Sequence, residues 1–594
     1  MSADSDAAAA PPRGRYGLAA PFDLLESTWV KLCLCLLVGG VYAWRVSGGS
    51  EAFFFWRQDL PILGVMLAAT AGLGLAPAAV LARLRLPTDR IGWLWVCGLA
   101  LVCAVAGFVG VSLVFGGYTL SLDEYLANFD ARIFASGRLV APVSEEWQSL
   151  VPALQPMYTL PVPDDDFWVS GYLPINAAMR GLAGLVGAAD LVNPLLSAFA
   201  VVAVYAVGRQ LWPQQPRIAL TAGLLLGTSA QVIVMSMTSY AMSAHLAFNL
   251  AWLWLFLRGG RLGHAGALVV GFLACGIHQL AFHPLFAAPF VLQLWLDRRW
   301  ALAGLYTLAY AAIGGFWFEY WHILLRVVGA TESDAGALGA AWELGRVVDV
   351  LRGVRFDNLG QMGESLVRFV SWQSLLAAPL ALAGAVAGWR AKGTLRALVL
   401  GIFLTLLAML ILEPTPVHGW GYRYLHGLLG SVSLIGAWTW WRLVEALPEQ
   451  RRAAANGAFV AASVFSLLVL FPVRAWQAQA YVTPFRLANT LIHTAPSQVV
   501  IVDQEGNPGF DPGTLVRNDP FLLAWPKVLQ LSYMEADNVR DVCAHYTVRV
   551  FTGRDAAAMG IDTVNQPPDA NVLAMRALMA QLRCGAPIRQ AGAG

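Results

Sequence analysis

Charge is what this chain has least of. Only 13% of its 594 residues are Asp, Glu, Lys or Arg, against about 25% in an ordinary soluble domain. Lysine is nearly missing, with Lys31, Lys392 and Lys527 the whole complement. The net charge of +2 offers nothing to nucleic acid. No GxGxxG follows a strand and no GxxxxGK[ST] occurs, which argues against a soluble nucleotide-sugar enzyme and an ATP-driven pump. The first 24 residues lack the early apolar stretch and small-residue cleavage site of a signal peptide. They are polar and Ala/Pro-rich, and read as a disordered cytoplasmic N-terminus. No convincing internal repeat is present, which removes one signature of many transporters.

What remains is apolar: 58% of the chain is hydrophobic. Stretches of spanning length recur from about residue 25 to residue 472. They fall at roughly 25–45, 60–82, 91–116, 191–208, 218–235, 241–257, 264–278, 281–296, 301–323, 368–388, 397–412, 424–441 and 457–472. The fold class is therefore a polytopic α-helical membrane protein with about thirteen transmembrane helices. Five cysteines (Cys33, Cys35, Cys97, Cys103, Cys275) lie in apolar runs as small packing residues.

Arg and Lys gather in one set of short loops: Arg83, Arg85 and Arg90; Arg209 and Arg217; Arg258 and Arg261; Arg298 and Arg299; Arg390, Lys392 and Arg396; Arg442, Arg451 and Arg452. The opposing turns near 236–240 and 278–283 hold none. The positive-inside rule puts the basic set and the N-terminus in the cytoplasm. The odd number of spans then places residues 474–594 outside, on the face that also carries the long segments 117–190, 324–367 and 413–423.

The first of those segments opens with Asp123 and Glu124, followed by Asp130 and Arg132 on a short amphipathic helix. Leu122, Leu126, Phe129, Ile133 and Phe134 form its apolar face, suited to lying along the membrane surface. The carboxylate pair suits an incoming hydroxyl beside a lipid headgroup; it equally suits the first turn of a helix. Asp164, Asp165 and Asp166 with Phe167, Trp168 and Tyr172 mark an interfacial loop, or else a cation site. His278 and His283 flank an outer turn, as satisfied helix-corner residues or as part of a zinc site. The third segment is densest: Glu413, His418, Trp420, Tyr422, Arg423, Tyr424 and His426. Gly419 and Gly421 permit unusual dihedrals there. An Arg at an outer interface suits a pair of phosphate oxygens, or headgroup snorkelling, or pairing with Glu413.

Residues 499–503, 528–532 and 547–551 read as short strands and 570–583 as a helix, which makes 474–594 a small extracytoplasmic α/β domain. Cys543 and Cys584 are its only cysteines. They either form one disulfide or stay as free buried thiols.

An acidic Asp123-Glu124 pair just after a span, a horizontal helix behind it, and the GYRYL run at 421–425 opening a late span resemble the GT-C superfamily of membrane glycosyltransferases. The likeness is closest to the bacterial protein-mannosyltransferase-like and aminoarabinose-transferase-like branch, and covers roughly residues 91–594. Two spans within residues 25–90 come in addition, and His283-Pro284 stands where many relatives have Arg-Pro. The resemblance implies a GT-C-like core over 91–473 in a bacterial inner membrane, with 474–594 periplasmic. It implies a sugar on a polyprenyl phosphate as donor and a lipid, glycan or protein as acceptor, with membrane lipids as further partners.

The chemistry expected with it is an inverting displacement. Asp123 acts as base or orienting group and Glu124 holds the acceptor or joins a cation site. Arg423 meets the leaving phosphate, helped by Tyr422 or Tyr424, with His283 and Arg132 as further candidates. A divalent cation is an option the sequence leaves open. A transporter or flippase, a non-catalytic lipid-binding module, and an O-antigen ligase or polymerase are the competing classes.

Overall fold

The computed structural model describes residues 53–86, 91–154, 159–160, 162, 165–330, 357–391, 393–412, 419–507, 510–561 and 570–588. The N-terminal 24 residues, the expected span at 25–45, Asp164, and Glu413 with His418 lie outside the described residues.

The other expected spans fall mostly on helix, but 60–82 is interrupted at 76–77, 218–235 at 228–229 and 368–388 at 372–376. Among the described residues six helices are long and apolar enough to cross a membrane: Phe55–Leu75, Gly92–Leu113, Ala189–Leu211, Trp300–Val327, Thr394–Leu412 and Glu449–His493. Pro216–Gly227 and Ala230–Ser236, bent by 56°, make a seventh if they form one span. Gly260–Cys275, Phe282–Leu296 and Ala377–Gly388 are apolar but shorter. Length accounts for these three. At 1.5 Å per residue such helices cover roughly 18–24 Å, less than a hydrocarbon core of about 30 Å. The chain is a multi-pass membrane protein. Gly92–Leu113 turns Trp93, Leu101, Val105, Phe108 and Leu113 outward, a surface that suits lipid and not water.

The helical run Glu449–His493 spans 45 residues, about 68 Å at standard rise. That is more than twice the hydrocarbon thickness, so the run continues past the bundle into the C-terminal unit, whose Val500, Val502 and Phe551 share a hydrophobic core with the bundle. A π-turn at Ser466–Leu470 interrupts it, and Ser466 Oγ there accepts the Leu375 N–H at 2.9 Å.

Beyond His493 the chain forms a four-stranded parallel sheet in the order Lys527–Gln530, Val499–Asp503, Val548–Thr552, Ala586–Pro587. Ala536–His545, Gly553–Ala558 and Ala570–Gln581 are its helices. Val499–Asp503 is buried at every residue, as a central strand covered on both faces must be. The structure joins Cys543 to Cys584, with their Cα atoms 5.7 Å apart. Upstream, Phe167–Ser170 pairs antiparallel with Ala141–Pro142 and Thr159–Leu160, a small sheet that the sequence pattern does not announce.

The amphipathic helix is Leu122–Ala135. Its surroundings correct one expectation. Leu126, Phe129 and Ile133 do not lie on the membrane surface; they share a core with Ile501, Leu529 and Met534 of the C-terminal unit. Tyr125 donates to the Asn518 carbonyl, and Arg517 Nη2 donates to the Leu120 carbonyl at 3.1 Å. The opposite face of the helix packs on Ile175–Gly184. Gly181 permits that approach, because a Cβ there would sit 2.7 Å from the Ala131 carbonyl oxygen. The helix is thus a wedge between the C-terminal unit and the bundle.

Candidate active site

Ser121 starts the wedge helix. Its Oγ accepts the Glu124 N–H at 3.2 Å, and its own N–H donates to Glu124 Oε2 at 3.4 Å. This is a reciprocal capping box. Glu124 Oε1 accepts the Ser239 N–H at 3.2 Å. Both carboxylate oxygens are therefore committed to backbone, one within the helix and one across to the turn before Met242–Arg258. Burial pushes the Glu124 carboxyl up to about 7 against the pull of those N–H groups, and the neighbouring Asp123 charge adds to the rise. Glu124 docks the helix.

Asp123, one residue earlier, faces the other way. Its carboxylate accepts from the Tyr172 hydroxyl and pairs with Arg423, 300 residues along the chain. Burial alone would raise its pKa; Arg423, His278 and the Tyr172 hydroxyl outweigh that and hold it below the ordinary carboxylate range. The sequence left Arg423 open between ligand, headgroup and Glu413; the structure gives it Asp123. Gly419 and Gly421, with φ of 144° and 76°, bend the chain so that Arg423 enters the bundle. A Cβ at Gly421 would lie 2.5 Å from the side chain of Gln231, so glycine is required there for space as well as conformation. The guanidinium stacks over Tyr240 at 5.1 Å and Tyr424 at 5.5 Å.

A small cavity opens beside Asp123, lined also by Asp130, Tyr172, Asn176 and His278. Asp130 sits two helical turns from Asp123 on the same face. Burial pushes its carboxyl up to about 7, opposed by a bond to Ser170. Asn176 Oδ1 and His278 Nδ1 have no partner among the described residues, and the His278 ring lies 4.2 Å from that of Tyr172. A second cavity lies past Arg423, lined by His245, Asn249, Thr405 and Tyr424 among others. Arg423 and Asp123 stand between the two.

The other expected site residues fall into two groups. Tyr424 lines the second cavity. Tyr422 is buried just behind, its carbonyl accepting from Gln231 Nε2 at 3.0 Å. His283 is placed elsewhere: its ring nitrogens are engaged by Asn249 Oδ1 at 2.8 Å and the Tyr310 hydroxyl at 2.7 Å, so it ties helices together. Arg132 is exposed. Nine residues from Asp123, it lies about 180° round the helix, and it cannot join the site. Among the described residues no three His, Cys, Asp or Glu converge to hold a metal, and His278 with His283 forms no such set. Sequence reasoning singled out Asp130, Tyr172 and His278 without assigning them here. It missed His245, Asn176 and Thr405, whose only signal was a lone polar residue in an apolar run.

The geometry offers an ionised carboxylate with a phenol and a guanidinium on its two oxygens, and cavities on both sides. No protein-family model matches the chain, and no curated protein matches it. Among solved structures the chain is similar to ArnT from Cupriavidus metallidurans. In its apo state that protein is 13% identical over 71% of this chain and 83% of its own, with a TM-score of 0.46. Bound to undecaprenyl phosphate it is 11% identical over 83% of this chain and 90% of its own, with a TM-score of 0.43. Both likenesses concern the course of the backbone and assign no residue, substrate or reaction to this chain.

Proposed function

We propose that this protein transfers a sugar from a polyprenyl-phosphate donor to an extracytoplasmic acceptor, a lipid, glycan or protein. The observation that carries the reading is the buried Asp123–Arg423 pair. It sets a carboxylate able to take a hydroxyl proton beside a cation able to meet a phosphate. Asp123 accepts the proton of the acceptor hydroxyl as that oxygen bonds to the anomeric carbon. The bond from that carbon to the phosphate oxygen breaks in the same displacement, and the electron pair leaves with the polyprenyl phosphate. The configuration inverts. Arg423 stabilises the charge that grows on the leaving phosphate in surroundings poor in water. Tyr172 fixes the carboxylate, and Asp130, Asn176 and His278 offer polar contacts to sugar or acceptor hydroxyls. Glu124 positions the helix, and no step is routed through a cation.

In this reading the chain lies in a bacterial inner membrane with its N-terminus cytoplasmic and its C-terminal unit periplasmic. The basic loops on the opposite side support that orientation, as does the Cys543–Cys584 bridge, which suits an oxidising compartment. The transporter alternative draws on the break between Pro216–Gly227 and Ala230–Ser236. The polar groups at that break satisfy one another, however. Ser229 donates to Gln373 at 2.9 Å, Gln373 to Gln231 at 2.6 Å, and Gln231 to Tyr422. A closed chain of this kind suits a packed joint better than an ion site. The test is to identify lipids that copurify with the protein by mass spectrometry, and to assay transfer from a panel of polyprenyl-phosphate sugars. Bound polyprenyl species and transfer lost in Asp123→Asn are expected. Failure to bind any such lipid together with no transfer across the panel would overturn the reading.

A further inference from the structure

The second cavity, past Arg423, holds an unusual number of open hydrogen-bonding groups. His245 is 2% exposed and neither ring nitrogen has a partner among the described residues. Thr405 is equally buried, and its hydroxyl is also unpartnered. Arg423 Nε is buried and open as well, although the same guanidinium binds Asp123 through Nη1. All three residues line one cavity and come from three separate elements: Met242–Arg258, Thr394–Leu412 and the turn Arg423–Leu428. Asn249, also on the wall, is already committed to Gly427 and His283.

Buried polar groups are nearly always paired, and a cluster that is not marks a missing partner. An arginine Nε only donates; a hydroxyl and a neutral imidazole can each donate one hydrogen. Among the described residues no carboxylate lines the cavity. A buried water completes such groups in many proteins; the Arg423 guanidinium on this wall favours an anion with several acceptor oxygens instead. Arg423, the cation on the cavity wall, is already neutralised by Asp123. An entering anion must compete with that carboxylate for it.

We propose that His245, Thr405 and Arg423 Nε form a phosphate site, and that phosphate entering it draws Arg423 away from Asp123 and so frees the carboxylate to act as base. The proposal rests on the transferase reading and adds to it two binding residues and an order of events, donor before proton transfer. In the empty protein the carboxylate is clamped by Arg423 and Tyr172, which guards against transfer to water before a donor is seated.

The test uses the full chain in detergent micelles with two probes, farnesyl phosphate and inorganic phosphate, titrated separately. Binding of farnesyl phosphate is expected to weaken about tenfold in His245→Ala and severalfold in Thr405→Val, as loss of a hydrogen bond to a charged group implies. His245→Gln, which keeps a donor, should retain most of the affinity and guards against misfolding of the alanine variant. Labelling of Asp123 by a water-soluble carbodiimide, read by mass spectrometry, should rise severalfold when the probe is bound. A variant-sensitive response to farnesyl phosphate alone identifies a lipid headgroup; an equal response to inorganic phosphate identifies free phosphate as sufficient. Wild-type affinity in both His245→Ala and Thr405→Val, or unchanged Asp123 labelling on saturation, would sink the proposal. If that happens while Asp123→Asn still abolishes transfer, the transferase reading stands without it. If no prenyl phosphate binds any form of the protein, both fall together.

Discussion

Among the described residues, the buried ionic clusters around Asp59 and around Asp123 differ in how completely they are satisfied. In the first, Asp59 accepts from Arg368 Nε at 3.1 Å, Ser371 Oγ at 3.1 Å, Trp372 Nε1 at 3.0 Å and Arg474 Nη2 at 3.1 Å. Arg474 also donates to the Ser371 carbonyl, the Gln58 carbonyl and Gln477. These bonds join Phe55–Leu75, Asp357–Ser371 and Glu449–His493. In the second, Asp123 and Arg423 hold each other, yet Arg423 Nε, His245, Thr405, Asn176 Oδ1 and His278 Nδ1 stay open around them. Closed networks fasten helices; open ones beside a cavity mark where a ligand completes the bonding. Both places pair an Asp with Arg, so the partner count is what separates the closed cluster from the open one proposed here as the site.

The sharpest way to test that distinction is to neutralise each cluster in turn. Asp123→Asn should lower transfer by roughly 10²–10⁴-fold, the range of a lost general base, in an assay with polyprenyl-phosphate sugars. Comparable activity in this variant would break the contrast. Arg474→Leu should show the opposite signature. Removing one partner of a fully buried pair costs about 3–5 kcal/mol, visible as a lower unfolding temperature in detergent, with turnover per folded molecule retained. A stable Arg474→Leu protein that has lost activity would merge the two clusters into one functional unit.

Asp130 gives a smaller, pH-dependent effect. Its carboxyl is raised from 3.8 to about 7 by burial, so the folded state keeps its proton longer than the unfolded chain. That stabilisation is fully present below about pH 4 and is lost as pH rises through about 7, with a slope of at most about 1.4 kcal/mol per pH unit. Asp130→Asn should flatten unfolding temperature against pH between about pH 4 and 8, leaving the part due to Glu124, which shifts in the same direction. An unchanged slope would remove Asp130 from the account. The smallest effect is expected from Ser121→Ala. Loss of the cap costs about 1 kcal/mol and should raise hydrogen exchange in the first turn of Leu122–Ala135; unaltered protection there would mean that the C-terminal unit alone holds the helix.

Much of this was legible beforehand where physics is local. Among the described residues the apolar runs are mostly helix, because twenty or so apolar residues leave the backbone little alternative in lipid. The strand at 499–503 and the helix near 570–583 were readable from their own periodicity. The Asp123-Glu124 pair reads as charge in the first turn of a helix, and the structure adds Ser121 as its cap. The Asp123 and Arg423 candidates stood out because charge is rare and both fall at span boundaries. The orientation of Leu122–Ala135 was misjudged because an apolar stripe does not say whether it meets lipid or protein, and Ile501 and Leu529 are hundreds of residues away. His245 and Thr405 gave almost no signal, since one polar residue in a spanning helix reads as tolerated packing.

The sequence alone determined that this chain inserts in a membrane, which stretches become helices, and that its acidic and Arg-Tyr motifs lie at span ends. These follow from composition and short-range spacing, whose energies are set within a few turns of chain. The tertiary structure decided which carboxylate is free of backbone, that Arg423 closes on Asp123, and that His283 and Arg132 stand aside while His245 and Thr405 line a cavity. Those outcomes depend on packing between segments up to 300 residues apart, and a buried polar group acquires its meaning from the partner that packing supplies or withholds.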